Sequence, residues 1–272
     1  MASLSIREIN QAAARTGIGR QYILKEVRVF DIWSKICPAL LSKEITAHAK
    51  VICKGGTSLN KVFLGRVQRF SEDLDMDIFF KKRLEREEKI QFIKNKIIPL
   101  VSSSYTVPKE ARKRNIILFF CKFKNELGMD DNVQLEFNIG ESRTGVDEIA
   151  TARSSILQLK LDNIPVYSFD TLVAMKMKAF YEREEGKDVY DLYYSLRSKK
   201  NNWSKVISIL KDVLRSSGID YKVFKKELPN KLSDSKKMRS LHASTNPYIP
   251  KNLRIDFLKA SELISKKAVP LL

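Results

Sequence analysis

Histidine and cysteine are scarce in this chain of 272 residues, which has two of the first and three of the second. With only His48 and His242 available, a His/Cys zinc site is excluded, and a Ser-His-Asp hydrolase is disfavoured for the same reason. Cys37, Cys53 and Cys121 are odd in number, widely spaced and set among apolar neighbours. They predict buried free thiols in a reducing compartment, not a disulfide framework. No run of about 18 apolar residues occurs, which excludes a transmembrane helix. Met1 to Asn10 lacks the apolar core of a secretory signal. A cytoplasmic protein with no membrane partner is the resulting expectation. Catalysis, if present, must then rest on carboxylates, lysines and a metal.

Apolar residues are not scarce: at 43% they support a folded core and argue against intrinsic disorder. Acidic residues are outnumbered, 32 against 50 Lys and Arg, for a formal net charge of +18. Such an excess predicts attraction to a polyanion such as nucleic acid or an anionic membrane face and says nothing about fold. The excess is uneven. Residues 1–80 carry +4, 81–125 carry +9, 126–195 reverse to −7, and 196–272 return to +12. An acidic island inside a basic chain fits either a solvated acidic surface or a divalent-metal site whose surroundings attract a polyanion.

Ser5 and Glu8 form a capping-box pattern that opens a helix from Ile6 to about Arg15, ended by Gly17. Tyr22, Leu24, Val27, Phe30, Trp33, Ile36 and Leu40 recur at the helical period and predict a core-facing helix over 20–41, shortened or kinked by Pro38. Strands are predicted at 49–54, 73–80, 115–120, 132–138 and 156–161, with a lysine-rich helix over 84–101. After Pro165 the pattern is helical, with helices at 168–184, 189–198, 204–216, 221–227 and 253–263. Helices, a strand-rich centre and helices again predict an α+β core with a helical C-terminal lobe. The expected division is 1–165 and 166–272.

The informative stretch starts at Lys54-Gly55-Gly56-Thr57-Ser58-Leu59. Two glycines after a buried strand permit a tight turn and close backbone approach to a ligand. The helix start that follows has free N–H groups suited to phosphate. The Walker A spacing is absent. Asp73 and Asp75 lie two apart on a predicted strand, so both carboxylates project from one face. Adjacent like charges there are costly unless a cation neutralises them. Oxygen ligation of this kind suits Mg²⁺, which takes one or two carboxylates plus substrate phosphates. Asp77 shares that face, while Leu74, Met76 and Ile78 face the core. An edge strand with a polar solvent face would show the same alternation; the preceding glycine turn favours the metal and nucleotide reading. Glu136, between Leu135 and Phe137, either lies on a solvent face or supplies a third carboxylate, as metal ligand or general base.

Gly55-Gly56-Thr57-Ser58-Leu59 followed by Arg69-Phe70-Ser71-Glu72-Asp73-Leu74-Asp75 resembles the first motif of the AbiEii/AbiGii-type nucleotidyltransferase toxins. These include the MenT enzymes and belong to the DNA polymerase β-like nucleotidyltransferase superfamily. A second segment is similar to that family's downstream pattern: Lys176 on a helix, then Arg183, then Lys187-Asp188-Val189-Tyr190-Asp191-Leu192. The two motifs span residues 54–192. The resemblance implies a polymerase β-like core with a mixed sheet and roles residue by residue. Gly55, Gly56, Thr57 and Ser58 would hold the triphosphate, and Asp73 and Asp75 would bind Mg²⁺. Glu136 matches the later strand carboxylate. Lys176 would meet phosphate or nucleotide, Asp188 would organise that wall of the cleft, and Asp191 would add to the nucleotide site. Asp77 departs from the family pattern, where the position is usually apolar, so the third acidic group is Asp77 or Glu136.

The second segment also has a purely physical reading. Lys176, Ala179 and Arg183 share one helical face, and Asp188 and Asp191 share another. They would form either ion pairs between packed helices or a wall of the nucleotide site. Arg69 either supports the fold or contacts phosphate, and Tyr190, Tyr193 and Tyr194 are expected to pack the helical lobe.

The resemblance implies a Mg²⁺-dependent enzyme that moves a nucleoside monophosphate from an NTP to a hydroxyl, with the 3′ end of tRNA as expected acceptor. It would be the toxin of a toxin–antitoxin pair, with a cognate antitoxin protein as partner. Two alternatives stand beside it: a catalytically inactive basic RNA-binding module on the same fold, and a small-molecule nucleotidyltransferase. In the leading reading the carboxylates hold metal and nucleotide, and the basic segments hold the RNA.

Overall fold

The computed structural model describes residues 5–108, 110–140, 145–198 and 202–272. The expected capping box is present: Ser5 Oγ accepts from Glu8 N–H, Glu8 accepts from Ser5 N–H, and helix α1 (Ile6–Thr16) ends at Gly17 in the left-handed region. Helix α2 (Arg20–Leu40) keeps Pro38 in its last turn and buries Phe30, Ile32, Trp33 and Ile36 almost completely. A single turn, α3 (Lys43–Thr46), leads into strand β1 (Ala49–Lys54). Next come the turn α4 (Gly55–Ser58), continued by a π-type turn over Leu59–Phe63, and strand β2 (Asp73–Phe80).

The long helix expected over 84–101 is two: α5 (Arg86–Lys96) and α6 (Pro99–Ser102). Pro99 has no N–H to continue α5 and is accommodated at the first position of α6. The strands β3 (Glu110–Lys113), β4 (Ile116–Lys124) and β5 (Asp130–Asn138) form an antiparallel run, longer than the apolar stretches alone suggest. Strand β6 (Asp147–Arg153) was not legible, because its Asp, Glu and Ala residues have low strand preference and its pairing with β7 (Lys160–Tyr167) imposes the conformation. The strand expected at 156–161 lies instead at 160–167. Pro165 sits inside it, opposite Ile149, and does not mark its end.

The seven strands form one sheet in the order β3-β4-β5-β2-β1-β7-β6. Strands β1 and β2 are antiparallel, whereas β2–β5 and β1–β7 are parallel. The sheet is therefore mixed. Helix α2 packs on it, and Trp33 Nε1 donates to Cys53 Sγ at 3.3 Å in the core. All three cysteines are free and buried.

The C-terminal half is helical: α7 (Phe169–Arg183), α8 (Gly186–Arg197), α9 (Trp203–Ser216), α10 (Tyr221–Ser233), α11 (Ser235–Thr245) and α12 (Phe257–Ala268). Helix α10 runs past Pro229, and α11, whose buried stripe is only Met238, Leu241 and Thr245, had no clear sequence signature. Tyr190 is fully buried and packs against Tyr194, in keeping with a packing role. No helix among the described residues is long and apolar enough to cross a membrane.

Candidate active site

The turn after β1 is built around close approach. Gly55 has φ +76°, and a Cβ there would lie 1.8 Å from Asp75 Oδ2. A Cβ on Gly56 would lie 2.4 Å from Arg69 Nη2. Side chains at these two positions would displace the carboxylate and the guanidinium that the turn brings together. The Thr57 hydroxyl donates to the Asp73 carbonyl and ties the turn to the start of β2. Gly56 and Thr57 line a cleft, while Ser58 is buried and outside its lining.

The pleat places Asp73 and Asp75 on one face of β2, as expected from their spacing. In the parallel ladder to β5, Gln134 pairs with Asp73 and Glu136 with Asp75, so Asp73, Asp75 and Glu136 line the same cleft. None of the three carboxylates has a hydrogen bond or ion pair to another described residue. Desolvation by the surrounding cleft, then the neighbouring Asp75 and Glu72, push Asp73 up to about 6 although it is open to solvent, against Lys187 and Lys25. Asp75 is raised by burial, with Asp77 adding to the effect and Lys54, Lys176 and Arg183 opposing it. Glu136 is raised by burial and by Asp75.

Asp77 lies one row further along β2 in a different environment. Lys54 Nζ lies 2.6 Å from its Oδ1, Asn138 Nδ2 donates to the same oxygen at 3.0 Å, and the Tyr167 hydroxyl donates to Oδ2 at 2.8 Å. Both oxygens are thus engaged away from Asp73.

The facing wall comes from α7 and α8. Lys176 Nζ sits between two fully buried carboxylates, 2.6 Å from Asp188 Oδ1 and 3.0 Å from Asp191 Oδ2. Arg183 donates to Asp188 through Nε and Nη2, both at 2.9 Å. Burial works against the Asp188 charge, yet Lys176 and Arg183 hold its pKa down to about 2. Asp191 accepts from Arg69 Nε and Nη2 at 2.9 and 2.7 Å and from Asn60 Nδ2 at 2.8 Å. Its acceptor capacity is spent inside the protein. Lys176 and Arg183 line the cleft; Asp188 and Asp191 stand behind them. The ion pairs expected between packed helices are present, and two of their members, Lys176 and Arg183, also line the cleft.

The donor set suits a hard divalent cation. Among the described residues no three acidic, imidazole or thiol groups converge closely enough to hold a metal by themselves. Two carboxylates without partners among the described residues, repelling one another beside a glycine turn, fit the habit of Mg²⁺ of completing its shell with water and substrate phosphate. Sequence reasoning gave no role to Lys54, Lys187 or Gln134 and left that of Arg69 undecided. Each adjoins a motif residue, in sequence or in ladder register, and that adjacency was the available signal.

An α+β fold with a mixed sheet, a glycine turn and paired strand carboxylates beneath a basic helical wall defines a protein of nucleotidyltransferase type. A family model described as "Nucleotidyl transferase AbiEii toxin, Type IV TA system" matches residues 40–260, and the chain belongs to that family. Membership brings with it an NTP substrate and an antitoxin counterpart. No curated protein matches the chain. Among solved structures, MenT4, a nucleotidyltransferase toxin from Mycobacterium tuberculosis, is 16% identical. That match covers 99% of this chain and 90% of that one, with a TM-score of 0.62, and shows the shared fold. An antigenic nucleotidyltransferase-like protein from Paracoccidioides brasiliensis is 15% identical over 69% of this chain and 88% of its own, with a TM-score of 0.37.

Proposed function

We propose that the protein transfers a nucleoside monophosphate from an NTP to a hydroxyl at the 3′ end of an RNA, with tRNA as the acceptor, in the cytoplasm. The observation that carries this reading is the group of carboxylates with no partner among the described residues, Asp73, Asp75 and Glu136, set beside Gly56 and Thr57 and opposite Lys176. Asp73 and Asp75, together with substrate phosphates, would hold Mg²⁺, which would supply Lewis-acid polarisation of the reacting phosphate. The backbone N–H groups of the glycine turn meet the triphosphate, and Lys176 and Arg183 balance its charge from the facing wall. Glu136 is the third acidic group in preference to Asp77, whose oxygens are already engaged. Its raised pKa suits a carboxylate that accepts the proton of the acceptor hydroxyl at Oε. The acceptor oxygen then bonds to the α-phosphorus as the bond to the β-phosphate bridging oxygen breaks, releasing pyrophosphate. Asp188 and Asp191 act by fixing Lys176, Arg183 and Arg69. Residues 1–165 carry the carboxylates, and 166–272 close the cleft from the other side.

The formal charge of +18 supports an RNA acceptor over a small hydroxyl compound. The test is incubation with each labelled NTP, Mg²⁺ and total tRNA, beside Asp75→Asn. Label on tRNA that disappears in the variant supports the proposal. Salt-sensitive RNA binding with no incorporation would make the protein an inactive binding module. Transfer confined to small hydroxyl compounds would remove the RNA acceptor.

A further inference from the structure

Lys54 is the last residue of β1, and its partner across the antiparallel ladder is Asp75. Asp75 in turn pairs with Glu136 on β5. Register partners project from the same face of a sheet, with Cβ atoms about 4.5–5.5 Å apart in an antiparallel pair such as Lys54 and Asp75. Lys54, Asp75 and Glu136 therefore form one row across three strands, with a cation at one end and, beside it, two carboxylates that have no partner among the described residues. The Lys54 ammonium is anchored diagonally, 2.6 Å from Asp77 Oδ1. Asp77 is held in turn by Asn138 on β5 and Tyr167 on β7, so the anchor is fixed from both neighbouring parts of the sheet. This apparatus is too well tied to be an incidental surface pair: Lys54 is largely buried and Asp77 is 5% exposed.

We propose that Lys54 is a positioning cation, tethered by Asp77, that occupies the electrostatic place of a divalent ion at Asp75 and Glu136 and makes Mg²⁺ binding conditional on the NTP. The inference rests on the nucleotidyl-transfer reading of the same cleft. Acidic residues in a row would otherwise tend to collect a divalent ion on their own. An ammonium fixed in the row removes one unit of negative charge and repels an incoming cation. The triphosphate restores the balance by bringing its own charge and the oxygens that the protein does not supply. Metal and nucleotide then arrive together, and Lys54 keeps Asp75 and Glu136 in place until they do.

The probe is Mn²⁺, with free ion followed by electron paramagnetic resonance, with and without a mixture of the four α,β-methylene NTPs. The natural protein is expected to bind Mn²⁺ weakly alone and tightly with the analogues. Lys54→Met is expected to bind Mn²⁺ alone at least about tenfold more tightly than the natural protein, since a full charge is removed at short range. Lys54→Arg keeps the charge and should resemble the natural protein, and adding Asp75→Asn to Lys54→Met should abolish the gain. Because Lys54→Met takes one partner from buried Asp77, the double variant Lys54→Met/Asp77→Asn provides the same comparison with no orphaned charge, and several-fold tighter Mn²⁺ binding is expected. Equal affinities in the natural protein and both neutralised variants, with nucleotide-dependent binding intact, would overturn this inference alone. Absence of Mn²⁺ binding in every protein even with the analogues would overturn it together with the metal-dependent reading.

Discussion

Arg69 grips Asp191 with two nitrogens, Nε to Oδ1 at 2.9 Å and Nη2 to Oδ2 at 2.7 Å, both residues buried and 122 positions apart in the chain. The pair fastens the segment before β2 to α8, and through Asp191 it also reaches Lys176. One contact thus aligns the glycine turn, the carboxylate strand and the helical wall.

Replacing Arg69 by Lys should weaken that alignment, because an ammonium cannot reproduce a planar two-pronged contact. Loss of roughly 2–4 kcal/mol of unfolding free energy is expected in denaturant titration, somewhat below the cost of about 3–5 kcal/mol for removing one partner of a buried pair, because lysine keeps the charge. Asp191→Asn should cost at least as much, since it leaves Arg69 and Lys176 short of a buried counter-charge. A loss within experimental error for both would show that the pair does not hold the lobes together.

Asp75 presents the opposite case. It is half-buried beside Glu136 with no hydrogen bond or ion pair to another described residue, so its charge costs stability. Asp75→Asn should leave thermal stability unchanged or raise it, while nucleotide transfer falls by at least about 100-fold. Parallel melting and incorporation assays check both halves. A variant that melts well below the natural protein would mean that Asp75 is structural.

Gly55 and Gly56 should differ in their response to alanine. At Gly55 the added Cβ meets the Asp75 carboxylate and the backbone is left-handed, so both strain and displacement follow. At Gly56 the obstacle is the end of an arginine side chain, although one clamped by Asp191. Gly55→Ala should therefore lose transfer activity more completely than Gly56→Ala, in which a raised KM for NTP dominates. The reverse order in steady-state kinetics would contradict the geometry.

Asp188 dictates an acid limb to stability. Its folded pKa is depressed to about 2, below the ordinary 3.8, so its ionised form stabilises the fold above about pH 4. That contribution, about 2 kcal/mol, is lost as pH falls from about 4 to about 2. Denaturant titrations across this window should show a steeper decline for the natural protein than for Asp188→Asn. Parallel slopes would mean that the carboxylate gains nothing from Lys176 and Arg183.

Much of the site was legible because its residues obey short-range rules. Spacing alone put Asp73 and Asp75 on one face, and the glycine pair announced a close approach whose targets, Asp75 and Arg69, only the fold reveals. Glu136 and Asp77 were indistinguishable in sequence, since both alternate with apolar neighbours. Their fates diverge through ladder register, which sets Glu136 beside Asp75 and surrounds Asp77 with Lys54, Asn138 and Tyr167. Strand β6 and helix α11 were missed where local preference is weak and tertiary pairing decides. Lys54, although named at the start of the glycine segment, was given no role because a lysine ending a strand is ordinary until its three carboxylate neighbours are known.

The N-terminal helices are joined to the site by a second buried pair. Lys61, in the turn that continues the glycine segment, lies 2.7 Å from Glu26 Oε2 on α2, and both side chains are fully buried. Ser154 Oγ donates to the other Glu26 oxygen, and Lys61 Nζ also donates to the Arg69 carbonyl at 3.3 Å. Glu26→Ala would leave the Lys61 ammonium uncompensated in the core, at an expected cost of about 3–5 kcal/mol. Glu26→Gln/Lys61→Met, which removes both charges and keeps similar volume, should recover most of that stability. If the pair also sets the glycine turn, the double variant will fold normally yet show a raised KM for NTP, because the tie from α2 to the Arg69 carbonyl is gone. A double variant with natural stability and natural KM would confine Glu26 and Lys61 to a purely structural role.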